Sequence, residues 1–401
     1  MTRPFEVAIV GGGLSGLTLA ARLAGDAAAA AALRVTVIDA APRPQVQDDD
    51  DIALRVSAIA AGSADILRGI GAWQHVDPAR RCSYESMRVW DENDAPDSSA
   101  ALHFDAANFA IPQLGFIVEN ILLRVAILRQ LDASKVTLRF SSRIEALRQV
   151  GQRFRISLEN DAELYADLVV GADGARSFVR SAVGISSHSW PYGQTAFVTH
   201  LEPEQSHQAT AWQRFLRDGP LGILPLADGR VSVVWSTTPD KAQQAGEADD
   251  VELGRMLTDA SDHVLGNLRV AGPRGTFPLA AQHAERYVLP GVALIGDAAH
   301  AIHPLAGQGA NLGLRDAVAL ADVLTTAVQE GRHPGDQPVL RRYERARRGA
   351  NATMLHFMTV LNRLFTTDSA AVAELRMAGM RAFNHSGPIK ERAVKVALGV
   401  G

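Results

Sequence analysis

At 401 residues, with 47% hydrophobic and 21% charged residues, the chain can bury a large core in two lobes and is too apolar to be disordered. Its 40 basic and 44 acidic residues leave a formal charge of −4 without a basic stripe, which argues against a nucleic-acid partner. Its one cysteine, Cys82, excludes an internal disulfide and a cysteine metal cluster, and reads as an inert, partly buried thiol.

Met1 to Glu6 lead straight into a strand, without the apolar core of a secretory signal. No run reaches the roughly 18 uninterrupted apolar residues of a membrane span. A cytoplasmic protein, or one peripheral to the inner membrane, is expected.

Val7 to Val10 reads as a buried strand, Leu14 to Leu23 as a helix and Arg34 to Ile38 as the next strand, with Ala27 to Ala32 extending the crossover. Between strand and helix lies Gly11-x-Gly13-x-x-Gly16, enclosing Leu14 and Ser15. The first glycine allows the tight turn, the second lets a pyrophosphate approach the backbone, and the third lets helix and strand pack closely. Asp39 ends the second strand, placed to accept from a ribose hydroxyl. It lies 28 residues past Gly11, beyond the usual ~20, which the Ala-rich extension explains. Glycines alone would also suit a structural turn; strand, helix and acid together favour an adenine dinucleotide.

Asp48 to Asp51 reads as solvated loop, and 55–71 as helical, with Arg55 a lone charge at its apolar start. Residues 83–104 mix strand with a polar loop. A helix follows at Asn120 to Leu131, interrupted by Arg124. A cation on such a face needs a partner; a flavin edge or phosphate would serve, as would plain solvent. Strands are predicted at Val136 to Phe140, Phe154 to Leu158 and Leu164 to Val170. The last runs into Gly171-Ala172-Asp173-Gly174-Ala175-Arg176-Ser177, which could hold a ribose or pyrophosphate, or be a plain strand-to-helix turn. From 186 to 278 the pattern is β-like, with turns near Gly219–Pro220 and Asp228–Gly229.

The strand Val292 to Ile295 then meets Asp297. A Pro/Gly loop follows through Pro304, Gly307, Gln308 and Gly309, and a helix opens at about Ala310 and Asn311. Free N–H groups at that helix start attract an electron-rich ligand edge. Two distant segments thus grip opposite ends of one long ligand, and a flavin dinucleotide fits. His300 and His303 fall in a loop with no carboxylate or cysteine cluster beside them, so no metal is expected. Beyond 310 the chain is helical. From Thr353 to Phe383, Leu355, Met358, Leu361, Leu364 and Phe365 recur at helical spacing, which suits packing on the first lobe, a membrane surface or a partner. The expected division is a discontinuous dinucleotide lobe (1–75, 105–185 and 279–330), a β-rich lobe (76–104 and 186–278) and a C-terminal helical region (331–401).

With GGGLSG at 11–16, GADGARS at 171–177 and GDAAHAIHP at 296–304 in this order, the chain resembles the class A flavin monooxygenases of the para-hydroxybenzoate hydroxylase fold. That fold is α/β: a Rossmann-type FAD-binding lobe, an inserted β-rich substrate lobe and C-terminal helices. LRVSAIAAGS at 54–63, GFIVEN at 115–120, PLAGQGANLGLRDA at 304–317, LNRLF at 361–365 and SGPIKERAVKVALG at 386–399 are similar to the ubiquinone-biosynthesis hydroxylases within that class. The resemblance implies an enzyme that uses FAD, NAD(P)H and O₂, through a flavin hydroperoxide, to hydroxylate an aromatic ring, here a polyprenylated phenol. It implies that Gly11, Gly13 and Gly16 hold the pyrophosphate, Asp39 the adenosine ribose, and Arg55 and Arg124 the flavin or its phosphates. Asp173 would serve both FAD and transient nicotinamide docking, Asp297 the ribityl chain, and Gly307 to Asn311 the isoalloxazine. Asp39 stands where the family usually has glutamate, and the Ala/Asp-rich stretch before Arg55 is lengthened. Other ubiquinone-biosynthesis proteins are expected partners. A soluble catabolic aromatic hydroxylase and a flavin-binding assembly protein are the alternatives.

Overall fold

The computed structural model describes residues 3–47, 50–159, 161–303, 307–367 and 369–400. At its centre a six-stranded sheet runs in the order Val288–Leu289, Val292–Leu294, Leu168–Gly171, Phe5–Val10, Leu33–Ile38, Thr137–Arg139. The inner strands are parallel, Val7 opposite Leu168 and Val35. Ile9, Val37, Val169 and Leu294 are nearly inaccessible, as strands covered on both faces must be. The helices Leu14–Gly25, Asn120–Asp132 and Gln308–Gln329 share this core with the antiparallel strands Ile144–Val150, Arg153–Leu158 and Glu163–Ala166.

A second, eight-stranded sheet runs from His300–Ala301 through Leu268–Ala284, Ser187–Pro203, Val231–Thr237, Gly219–Pro225, Thr210–Leu216 and Ser86–Asp91 to Leu102–Asp105. Its central strands alternate. Phe197, Leu221, Ile223, Val233 and Trp235 enter a core with the helices Pro239–Glu247 and Asp250–Ala260. Their neighbours Ala196, Val198, Gly222, Leu224, Val234 and Ser236 face the opposite way and line a cavity. Three helices, Gln337–Thr366, Ala370–Asn384 and Pro388–Leu398, close the far side of that cavity.

The expected helix over 55–71 is half strand. Val56–Ala60 pairs antiparallel with Gly115–Glu119, and only Ala61–Gly69 is helical. A short apolar run does not declare its type by periodicity, and sheet pairing decided it. The expected strand Leu164 to Val170 breaks at buried Asp167, whose carboxylate accepts the Glu6 N–H at 2.7 Å, so its halves join different sheets. The two helices within 186–278 carry N-cap signals that the β reading passed over: Thr238 and Asp249 each accept an N–H three residues on. Leu268–Ala284 stays in the large sheet past 279, while Arg81–Tyr84 pairs with Gly115–Glu119 rather than with that sheet.

Candidate active site

A cavity of about 2000 Å³ begins at the glycine loop, and the three glycines divide their work there. Gly11 has φ +111°, and a Cβ on it would lie 2.2 Å from the Ala172 carbonyl oxygen. A Cβ on Gly16 would lie 2.1 Å from the Gly11 carbonyl oxygen. Both are therefore required by the protein's own packing, and Gly16 does not border the cavity. Gly13 is different: nothing lies within 4 Å of its Cβ position, so its backbone, with Leu14 and Ser15, faces open space. Gly13 caps the helix Leu14–Gly25 without a side-chain hydrogen bond, and the first turn carries no acid. An anionic group would meet unsatisfied N–H donors and the positive end of the helix dipole.

Asp39 holds this loop in shape. Its Oδ2 accepts the Gly12 N–H at 2.6 Å and its Oδ1 the Ala41 N–H at 2.7 Å. The Arg124 Nε–H donates to the Gly12 carbonyl at 2.9 Å, and its guanidinium lies 3.9 Å from Asp39. Both side chains also line the cavity, and a carboxylate with two bonds keeps lone pairs for a ligand hydroxyl. Asp173 borders the cavity too, but its oxygens accept the Ser177 hydroxyl at 2.5 Å and the Val179 N–H at 3.1 Å. Its carboxylate is engaged in starting the short helix Phe178–Ala182.

Further along, Asp297 projects into the cavity from the turn Gly296–Ala298 and accepts no hydrogen bond from the described residues. The cavity makes it accessible, yet protein surrounds it. Burial raises its pKa, opposed by the nearby His300 and Arg55 charges. Arg55 lies 5.7 Å from the centroid of the Phe277 ring and also lines the cavity. Gly307, with φ +61°, caps the helix Gln308–Gln329, again without a side-chain cap or an acid in the first turn. Gln308, Gly309 and Ala310 border the cavity. Asn311 does not. It is fully buried, donating to the Ala58 and Gly307 carbonyls at 2.9 and 3.0 Å and accepting the Ala60 N–H at 2.9 Å. Its amide ties the loop to the strand Val56–Ala60 rather than facing a ligand. Pro304 lies outside the described residues.

Beneath this loop is a buried network that the sequence reading did not foresee. Asp316 accepts from Gly296 N–H at 3.1 Å, Arg347 Nε–H at 2.7 Å and Asn351 Nδ2–H at 3.0 Å, and lies 2.5 Å from His300 Nε2. Burial alone would raise the Asp316 pKa, but His300 and Arg347 hold it below the ordinary carboxylate value. The one available signal was an acid at four-residue spacing from Leu312 and Leu320, on the face of the helix that is otherwise apolar. His303 bonds instead to Gln194 at 3.0 Å, and burial lowers its pKa to about 4. The two histidines thus serve different partners, and no metal-binding cluster of His, Cys, Asp or Glu occurs among the described residues. Burial and Asp228 push the Cys82 thiol up to about 11, which keeps it protonated and unreactive.

Beyond Asp297 the cavity turns apolar, walled by the inner face of the large sheet and by the C-terminal helices. Met87, Met354, Met358 and Met380, four of the chain's seven methionines, line it with Leu361 and Phe365. Unbranched thioethers fill irregular apolar space and adapt to what enters it.

Comparison with known proteins agrees with this geometry. A family model described as FAD binding domain matches residues 4–358. The chain is 38% identical to the 3-demethoxyubiquinol 3-hydroxylase of Escherichia coli over 99% of both proteins. It is 39% identical to the ubiquinone hydroxylase UbiL of Rhodospirillum rubrum, over 98% of this chain and 89% of that protein. The crystal structure of p-nitrophenol 4-monooxygenase PnpA from Pseudomonas putida superposes with a TM-score of 0.77 over 99% of both chains at 20% identity, a likeness of fold.

Proposed function

The chain belongs to the FAD binding domain family of class A flavin monooxygenases, and from that premise we propose that it hydroxylates the ring of a polyprenylated phenol in ubiquinone biosynthesis. One observation carries the choice of substrate: the cavity that begins at the glycine loop continues past Asp297 into a long, methionine-lined apolar chamber. A small polar benzoate would leave that chamber without a role. A ring bearing an isoprenoid tail would fill it.

The residues fit an FAD. Two uncapped helix starts, the open backbone at Gly13 and Gly309, and Arg55 and Arg124 suit its pyrophosphate and ring edge, and Asp297 offers an unengaged carboxylate to a hydroxylated chain. We assign Gly13, Leu14 and Ser15 to the pyrophosphate, Asp39 to the adenosine ribose, Asp297 to the ribityl chain, and Gly307 to Ala310 to the isoalloxazine. Gly11, Gly16 and Asn311 act by fixing the backbone that these groups need, and Asp173 by holding the turn beside them. When bound, FAD supplies the activation of O₂ with electrons from NAD(P)H. The chain's own part is to hold the aromatic ring beside that site, to exclude water with the apolar chamber, and to keep the Asp297 turn rigid through Asp316. No helix of the described residues is long and apolar enough to cross a membrane, and we place membrane contact and contact with other pathway proteins on the C-terminal helices.

The test is a deletion strain profiled for quinone intermediates by mass spectrometry. Accumulation of an under-hydroxylated prenyl phenol, rescued by the wild-type gene, is expected; normal quinone with no paralogue present overturns the reading. Asp297→Ala should retain the fold, hold FAD at least tenfold more weakly and fail to rescue. An assembly protein that turns over nothing would rescue undiminished.

A further inference from the structure

The C-terminal helices differ from the rest of the chain in charge and in what they expose. Residues 337–401 hold 11 Lys and Arg against 4 Asp and Glu, while residues 1–336 hold 29 against 40. Two of these cations turn inward: Arg347 pairs with buried Asp316, and Arg376 with buried Asp91 at 2.5 Å. Arg345, Arg348, Arg363, Arg381 and Arg392 stay exposed. Ten large apolar side chains are exposed among the described residues, and Phe357, Val360, Leu375, Ile389 and Val396 are five of them.

Three of these five, Phe357, Leu375 and Val396, border the large cavity. Ala350 and Phe357, Leu375 and Gly379, and Ala393 and Val396 are spaced by seven, four and three residues on the three helices, so each pair shares a helix face. All six line the large cavity, and all six are exposed. The apolar chamber is therefore open to the outside between these helices, its rim is apolar, and the helices that form it carry the exposed cations. Buried apolar contact combined with surrounding Lys and Arg is the pattern by which a helix lies on an anionic bilayer.

Resting on the reading that the substrate carries an isoprenoid tail, we propose that the cleft between the three C-terminal helices is a lipid portal. An anionic phospholipid bilayer seats against the rim, and the tail passes from the acyl region through the cleft into the methionine-lined chamber without crossing water. The latches fit this arrangement. Arg376 donates to the Leu364 and Phe365 carbonyls at 3.0 and 3.2 Å, which ties two of the three helices together, and its pair with Asp91 fastens them to the large sheet; Arg315 donates to the Ala397 carbonyl at 2.9 Å, which fastens the third helix to the first lobe.

The test uses the full-length, FAD-loaded enzyme in flotation with vesicles of phosphatidylcholine alone or with phosphatidylglycerol added. Binding to the anionic vesicles at least tenfold stronger than to the neutral ones, and weakened by salt, is expected. Arg363→Glu/Arg381→Glu/Arg392→Glu should lose that preference. Leu375→Glu/Val396→Glu should lower binding tenfold or more, with FAD content confirming that it folds. In both variants, the ratio of turnover on a long-tailed phenol in vesicles to turnover on a short-tailed, water-soluble analogue should fall at least tenfold. Equal, salt-insensitive recovery with both vesicle types, or an unchanged turnover ratio in the variants, overturns the portal. If wild-type enzyme leaves both phenols unreacted, the substrate reading itself fails, whatever the vesicles show.

Discussion

The two ends of the cavity are built on opposite principles. At the glycine loop the shape is set by backbone. Gly11 and Gly16 sit where a single methyl group would strike a carbonyl oxygen, and Asp39, Arg124 and Asn311 fasten loop N–H and C=O groups. At the C-terminal end the shape is set by side chains, chiefly Met, Leu and Phe on helices and on one face of the large sheet. A backbone-defined site admits one solution and is intolerant of change; a side-chain-defined chamber can be refilled by many residues of similar volume. That contrast suits a cofactor that never varies beside an apolar tail that needs bulk apolar contact more than fixed geometry.

The largest effect that would sharpen this comparison is expected from Gly16→Ala. The added Cβ falls 2.1 Å from the Gly11 oxygen, so the helix must move off the strand, and soluble protein with bound flavin should be lost, as read from flavin absorbance after purification. Asp316→Asn comes next. It removes the countercharge from Arg347 and the carboxylate that His300 faces in a buried site, which should cost about 3–5 kcal/mol in urea unfolding. Loss of flavin out of proportion to that cost would show the Asp297 turn relaxing with it.

A pH titration probes the junction between the ends. His303 has its folded pKa lowered to about 4 against an unfolded value of 6.5, so the unfolded chain binds more protons between them. Its stabilising contribution is complete above pH 6.5 and is lost as pH falls toward 4, on the order of 3 kcal/mol. His303→Gln should reduce the slope of thermal stability across that window, the remainder including His283, which burial also lowers to about 4; an unchanged slope would contradict the assignment. The smallest effect is expected at the apolar end. Met358→Leu should change stability by less than about 1.5 kcal/mol and leave flavin affinity unaltered, while KM for a long-tailed phenol shifts. A large loss of flavin there would abolish the distinction between the two ends.

Sequence was most legible where backbone geometry demands one residue type. The β-α-β unit and Gly11-x-Gly13-x-x-Gly16 could be read because at Gly11 and Gly16 only glycine fits, and Asp39 because it ends an apolar strand. Even there, the motif did not say which glycines serve the fold and which the ligand; the distances to Ala172 and Gly11 separate them. The strand Val56–Ala60 read as helix because a five-residue, mostly apolar run looks alike in either form until a partner strand claims its N–H groups. Asn311 read as a ligand contact, yet it does not border the cavity and its polar atoms are engaged by backbone groups; Asp173 does border it, while also accepting from the Ser177 hydroxyl and the Val179 N–H.

What the sequence determined alone, then, is the local part: strands with apolar runs, helices with caps and glycines at turns of fixed geometry, each dictated by neighbours a few residues away. What only the tertiary structure decided is the non-local part. It brought Asp316 under the Asp297 turn, turned alternate residues of the large sheet toward the cavity, and converged three helix faces on one opening. Those choices depend on which surfaces bury each other, and no spacing within one turn or strand encodes a partner that lies in another element.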